Sequence, residues 1–185
     1  GAQDVFLTGN PQITFFKVVY RRHTNFSKEC IKQEFNGNAA LGNTVTCTLA
    51  RNGDLVQEIY LKATITEKKA ATGVDRSNAA ADLHSMIKSV EVEIGGQKID
   101  KHYAAWLDIY NELFEHNIDY LELMTNLDGD AQSGTSPDPT KTVYIPLRFW
   151  FNRNAGLALP LIALQYHEVK VLVELNKPAD LKIGN

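Results

Sequence analysis

The chain has 185 residues, of which 44% are hydrophobic and 22% charged, and its formal charge is −3. That length suffices for one apolar core without covalent staples, and the composition excludes wholesale disorder. The near-neutral balance argues against a dedicated nucleic-acid binder, and no apolar run reaches the ~20 residues of a membrane-spanning helix. Cys30 and Cys47 make neither a zinc motif nor a disulfide framework and read as two buried thiols in a reducing compartment. The chain opens on Gly1, without Met or a signal peptide, and closes soon after a strand pattern, which reads as a piece of a longer polypeptide.

Period-two alternation dominates, the mark of half-buried strands. A weak run at Ile31, Gln33 and Phe35 comes first. Val45, Cys47 and Leu49 then alternate with Thr44, Thr46 and Thr48. Leu55, Ile59, Leu61, Ala63 and Ile65 follow on one face, with Gln57 the exception. Asn52-Gly53 between these runs suits a tight hairpin. The stretch Glu67 to Asp82 has loop composition. Val90, Val92 and Ile94 alternate with Ser89, Glu91 and Glu93, and Gly95-Gly96 predicts a second hairpin before Gln97 to Lys101. Tyr103, Trp106, Leu107, Tyr110, Leu113 and Phe114 recur at helical spacing, predicting one helix with Asp100 as N-cap and an end near His116.

Asn126 to Lys141 is dense in turn formers and reads as a second long loop. Val143, Ile145, Leu147, Phe149 and Phe151 alternate with Thr142, Tyr144, Pro146, Arg148 and Trp150. Pro146 assigns this strand to an edge or a bulge. Gly156 to Tyr166 is apolar, uncharged and broken by Pro160; Val169, Val171, Val173 and Leu175 form the last strand. One-sided strands need a second sheet to cover them, so the expected fold is an all-β antiparallel sandwich with one helix. Periodicity alone leaves immunoglobulin-like, lectin-like and jelly-roll topologies open.

No catalytic constellation emerges. His167-Glu168 lacks the second His of a zinc-protease helix, and His167 reads as structural. Asn126, Asp128 and Asp130 have the spacing that opens a calcium loop, but Ala131 and Pro137 stand where Gly and Glu are required. Glu91 and Glu93 read as the solvated face of a strand. No cofactor and no metal are expected. Asn25-Phe26-Ser27 is the one glycosylation sequon. Lys17, Arg21, Arg22, Lys28 and Lys32 lie among Phe15, Phe16, Tyr20 and Phe26. That cluster suits either internal pairing or contact with nucleic acid, an acidic lipid surface or an acidic partner. Alternation turns Trp150 outward, a position where Trp often anchors a subunit contact.

Several phrases, in order, carry a resemblance: GAQDVFLTGNPQITFFK from Gly1, YRRHTNF from Tyr20, RNGDL from Arg51, EIGGQKIDKHY from Glu93 and GLALPLIALQYHEVK from Gly156. Together they resemble the N-terminal part of the major capsid protein of nucleocytoplasmic large DNA viruses, nearest to the chlorella-virus and algal-virus branch. The resemblance spans nearly the whole chain. It implies the first of two tandem eight-stranded jelly rolls, with its C-terminal strands and the entire second jelly roll absent. Residues 1–27 are then an N-terminal extended segment and 28–185 an incomplete jelly roll, whose missing strands would leave open edges.

The resemblance further implies a structural virion protein and no enzyme: a subunit of trimeric, pseudo-hexagonal capsomers that tile an icosahedral shell, assembled in the host cytoplasm. Expected partners are further copies of itself, minor capsid proteins and the internal membrane, with no direct nucleic-acid binding. Phe15, Phe16, Tyr20, Arg21 and Arg22 are candidate contacts towards the shell interior. Trp150, Leu157, Leu159, Pro160 and Leu161 are candidate contacts within the trimer, and the two long loops are expected to face outward or touch a neighbour. A carbohydrate-binding lectin-like sandwich is the alternative; a hydrolase, which needs two converging carboxylates, is a more distant one.

Overall fold

The computed structural model describes residues 24–66, 82–115, 117–125 and 140–181. They fall into two units, one ending at Lys32 and the other running from Gln33 onward. The described strands and helices all belong to the second unit. The sequon at Asn25 and the Cys30 thiol, in the first, are exposed, so of the two thiols expected to be buried only Cys47 is.

Among the described residues eight antiparallel strands carry the second unit. They are β1 (Thr44–Thr48), β2 (Leu55–Val56), β3 (Tyr60–Thr66), β4 (Ile87–Ile94), β5 (Gln97–His102), β6 (Thr140–Pro146), β7 (Leu159–Pro160) and β8 (Val169–Leu175). One sheet has the order β1-β8-β4-β5, while β2-β7 and β3-β6 form two-stranded ribbons. The expected alternation is real where it matters. Val45 and Cys47 of β1 lie opposite Val173 and Val171 of β8, which in turn face Val90 and Val92 of β4, and all six side chains are buried. Val143 and Ile145 of β6 join the same buried cluster, with Leu61, Ala63 and Ile65 of β3 packed against it. The apolar faces of the large sheet and of the β3-β6 ribbon thus share one core, as a sandwich requires.

Chain order and spatial order differ. The predicted hairpin at Asn52-Gly53 does not form: β1 pairs with β8, whereas β2 pairs with β7 and β3 with β6. Gly53 is not among the glycines with positive φ, so the segment bends without the backbone that a two-residue hairpin demands. Burial explains the preference, because β1 and β3 both have apolar faces that must look at each other across the core, which adjacent strands of one sheet do not do. The run from Leu55 to Thr66 breaks at Gln57, whose carbonyl accepts a hydrogen bond from Asn152 Nδ2 at 2.7 Å. The Ile31–Phe35 run forms no strand; only an isolated bridge between Asn36 and Thr46 follows it.

The Gly95-Gly96 hairpin does form, joining β4 to β5 with Ile94 opposite Gln97. Both glycines have positive φ, +59° and +82°. The register then shifts between Val92 and Glu93, whose partners are Asp100 and Lys98, so Ile99 is the extra residue of a bulge.

The helical part departs further from expectation. Helix α1 spans Ala104–Tyr110 and runs into a π-helical turn, Asn111–Glu115, so its end agrees with the sequence. Its N-cap is Tyr103, not Asp100, because β5 continues to His102 and Asp100 lies within that strand. Its apolar face is only partly core: Leu107 is buried, but Tyr103, Leu113 and Phe114 are exposed. A second helix, α2 (Ile118–Thr125), was not foreseen; Asn117 Oδ1 accepts from Tyr120 N–H at its start and Met124 is buried. Of the two long loops, 67–81 and 126–139 lie outside the described residues.

The hairpin yields a test. A Cβ on Gly95 lies 2.7 Å from His167 Nδ1, whereas one on Gly96 meets nothing within 4 Å. Left-handed backbone costs a non-glycine residue roughly 1–2 kcal/mol, so both Gly→Ala variants lose stability in urea unfolding. Gly95→Ala loses more, and adding His167→Ala removes the difference; equal losses would contradict the packing of His167 on the turn.

Candidate assembly surface and a buried polar cluster

Between β6 and β8 the chain forms a covered segment with one wet side. The predicted strand through Phe151 stops at Pro146, with one further backbone bond from Leu147 N–H to the Ile59 carbonyl at 2.9 Å. A four-residue helix, α3 (Trp150–Arg153), replaces it. Asn152 closes this turn: its Oδ1 accepts from Phe149 N–H at 3.0 Å while its amide reaches Gln57. Phe149 and Phe151 are fully buried and stack with centroids 5.7 Å apart. Because α3 is helical, Trp150 is not thrown to the far face. It is half-buried, edge-on to Phe151 at 5.0 Å, and packs against the core.

Beyond α3 the burial alternates sharply. Leu159 and Leu161 are buried in this chain's own core, while Leu157, Pro160, Ile162 and Tyr166 are exposed, Tyr166 at 88%. Leu55, paired opposite Pro160, is exposed as well. Arg51 fixes the segment: its Nη2 donates to the carbonyls of Leu164 at 3.1 Å and His167 at 3.3 Å. The apolar face on offer is therefore Leu55, Leu157, Pro160, Ile162 and Tyr166. Ile162 and Tyr166 belong to the singled-out apolar stretch, but the sequence does not tell their exposed positions from the buried Leu159 and Leu161. Phe15, Phe16, Tyr20, Arg21 and Arg22 lie outside the described residues, as do Asn126, Asp128 and Asp130.

A second surface lies on the helices. Trp106, Tyr110 and Phe114 form a ladder of rings with centroids 5.9 and 4.8 Å apart. Arg153 stacks over Trp106 and Arg148 over Tyr110, at 5.6 and 4.7 Å. Arg148 also pairs with Glu115 at 2.5 Å. Ile109, Leu113, Phe114 and Ile118 are exposed around this ladder.

Of the buried polar and charged residues, Glu91, His84 and His102 are the acid and base side chains. Glu91, read from the sequence as solvated, is only 8% exposed; Lys101 and Lys98 cover it at 2.6 and 2.7 Å and hold its carboxyl below the usual range. A carboxylate locked between two ammonium groups is no half of a hydrolytic pair. His84, 1% exposed, joins Asp108 through Nδ1 and the Tyr120 hydroxyl, 2.6 Å from Nε2. Burial pushes the Tyr120 phenol well above its ordinary value, so it keeps its proton. Asp82 Oδ1 accepts from His84 N–H at 3.1 Å, and ligand atoms of Asp82, His84 and Asp108 all lie within 4.8 Å of one another.

His102 is the third. It sits opposite Val90, its ring centroid 4.6 Å from that of Phe149, and among the described residues neither ring nitrogen has a hydrogen-bond partner. Burial lowers its pKa to about 4 from 6.5, with Asp100 opposing and Arg153 assisting. The folded chain favours the neutral ring. Its contribution is whole above pH 6.5 and is lost as pH falls towards 4, roughly 3 kcal/mol in total. Urea unfolding from pH 6.5 to 5, above the range where the ion-paired carboxylates titrate, should show about 2 kcal/mol of this loss, and His102→Leu should remove it. An unchanged slope in the variant would contradict the assignment.

The comparisons with known proteins agree with these geometries. Residues 14–184 match the family described as "Major capsid protein N-terminus". The major capsid protein of Pyramimonas orientalis virus is 58% identical over 187 residues, covering 98% of this chain and 46% of that protein. The major capsid protein of Paramecium bursaria Chlorella virus 1 is 49% identical over 177 residues, covering 95% and 38%. The chain thus spans less than half the length of these relatives. The solved quasi-atomic structure of the PBCV-1 virus capsid superposes with a TM-score of 0.67 at 41% identity, covering 88% of this chain and 38% of that one. The fold is accordingly the antiparallel jelly roll of viral capsid proteins, and the relatives are structural proteins, not enzymes. The chain belongs to the major capsid protein family of large DNA viruses and represents its N-terminal part.

Proposed function

We propose that the protein is the wall-building subunit of an icosahedral double-stranded DNA virus, forming trimeric capsomers of pseudo-hexagonal outline. The superposition on the PBCV-1 capsid over 88% of the chain carries this reading. The mechanism is geometric. A sandwich with its apolar residues gathered in one core keeps its shape, and repeated contacts of modest strength between rigid copies build a stable wall that still assembles reversibly.

In this reading a second copy covers Leu55, Leu157, Pro160, Ile162 and Tyr166, the apolar band that Arg51 braces. Leu159 and Leu161 anchor the band to the core, and Trp150 packs against that core rather than facing a neighbour. Phe15, Phe16, Tyr20, Arg21 and Arg22 belong to an N-terminal extended segment facing the shell interior, where minor capsid proteins or the internal membrane meet it. Residues from 28 onward belong to the first jelly roll, and assembly takes place in the host cytoplasm.

The test is light scattering on the full-length chain with electron microscopy of the same fractions. Wild type should be trimeric and show pseudo-hexagonal particles. Ile162→Asp with Tyr166→Asp should yield folded monomers, and Arg21→Glu with Arg22→Glu should leave trimers intact while blocking particle formation. A monomeric wild type overturns the trimer. Unfolding of the Ile162/Tyr166 variant overturns the contact by placing the band inside the polypeptide's own core.

A further inference from the structure

We propose that Asp82, His84 and Asp108 form a binding site for a divalent cation of the zinc or manganese class, where the 3-10 turn Leu83–Met86 meets helix α1. One ligand atom from each residue lies within 4.8 Å of the others, the span of one coordination sphere. Two further features point to a cation.

The first is the setting of the histidine. The His84 ring is 1% exposed and held from behind by the Tyr120 hydroxyl, 2.6 Å from Nε2. A metal-bound imidazole ordinarily has its other nitrogen held by such a partner, which fixes the ring and leaves one lone pair directed at the ion. Nδ1 faces Asp108, so it is the nitrogen presented to the carboxylates. The second is uncompensated charge. Among the described residues neither Asp82 nor Asp108 is paired with a Lys or Arg; the one ionic partner is the imidazole itself. The Asp108 side chain is 44% exposed, which opens the cluster to water on one side.

One imidazole nitrogen with two carboxylate oxygens suits Zn²⁺ or Mn²⁺, whereas Mg²⁺ and Ca²⁺ favour all-oxygen sites. The cation-bound ring is the neutral tautomer that carries its hydrogen on Nε2 and donates it to the Tyr120 hydroxyl oxygen, so Nδ1 offers its lone pair to the cation beside the Asp108 carboxylate. Asp82 supplies the third ligand and water completes the sphere. The ion then ties the turn before β4 to α1 and, through Tyr120, to α2. Nothing in the linear sequence marks the site, since Asp108 stands 24 positions beyond His84 and on a different element.

The experiment is calorimetric titration of Zn²⁺ into the full-length chain after chelator treatment. One ion should bind per chain, and the His84 imidazole resonances should shift as it does. Asp82→Asn and Asp108→Asn should each weaken binding at least tenfold, and Tyr120→Phe should weaken it about 10–100-fold. Mn²⁺ should compete, and Mg²⁺ or Ca²⁺ at the same concentration should not. Circular dichroism checks that each variant is folded; the half-buried Asp82 carries the comparison if Asp108→Asn is not. Absence of saturable binding, unmoved His84 resonances, or binding indifferent to the aspartate variants would overturn the site.

Discussion

The pairing of β1 with β8 is the constraint on which the rest of the unit depends. It joins Thr44 to Glu174 across most of the chain and puts β8 in the middle of its sheet, between β1 and β4. Val169, Val171 and Val173 then form the centre of an apolar face that has no value to the fold unless something covers it. The β3-β6 ribbon and the Phe149-Phe151 stack provide that cover. The β4-β5 hairpin is local, but seating β8 between β1 and β4 must close a long loop before its contacts reward it.

That constraint explains which surfaces are left for other molecules. Residues that alternate inward are committed to the core, and among the exposed apolar side chains of the described residues two groups stand out. One is the band around Pro160 and Tyr166, the other the exposed side of α1 and the turn after it. Both lie beside segments held by polar devices: Arg51 on two carbonyls in the first case, Arg148 and Arg153 stacked on rings in the second. Apolar surface presented on a braced backbone loses little entropy when a rigid neighbour docks on it.

Much of the fold was legible because a strand's side-chain period is local. Thr44–Thr48, the Ser89–Ile94 part of β4 and Val169–Leu175 announce themselves by alternation, and Gly95-Gly96 announces its hairpin because only positive φ fits there. What failed needed information from far along the chain. Asn52-Gly53 looks like a hairpin to any local reading, but the partner of β1 lies more than 120 positions away. The alternation through Phe151 persisted past Pro146, but the strand ends there and a helical turn beginning at Trp150 changed the placing of that side chain. In GLALPLIALQY composition gave one apolar stretch; only tertiary packing separates buried Leu159 and Leu161 from exposed Leu157 and Ile162. Glu91 and His102 were opaque for the same reason, since their partners, or lack of them, depend on neighbouring strands and loops.

The claim at the centre of the account is that this chain is a rigid building unit whose exposed apolar band meets a further copy of itself. Cryo-electron microscopy of assembled particles at side-chain resolution tests it most directly. The account predicts this sandwich in the shell wall, with Ile162 and Tyr166 against a neighbouring copy. A shell that lacks the chain, or one in which those two side chains face open solvent, would contradict it.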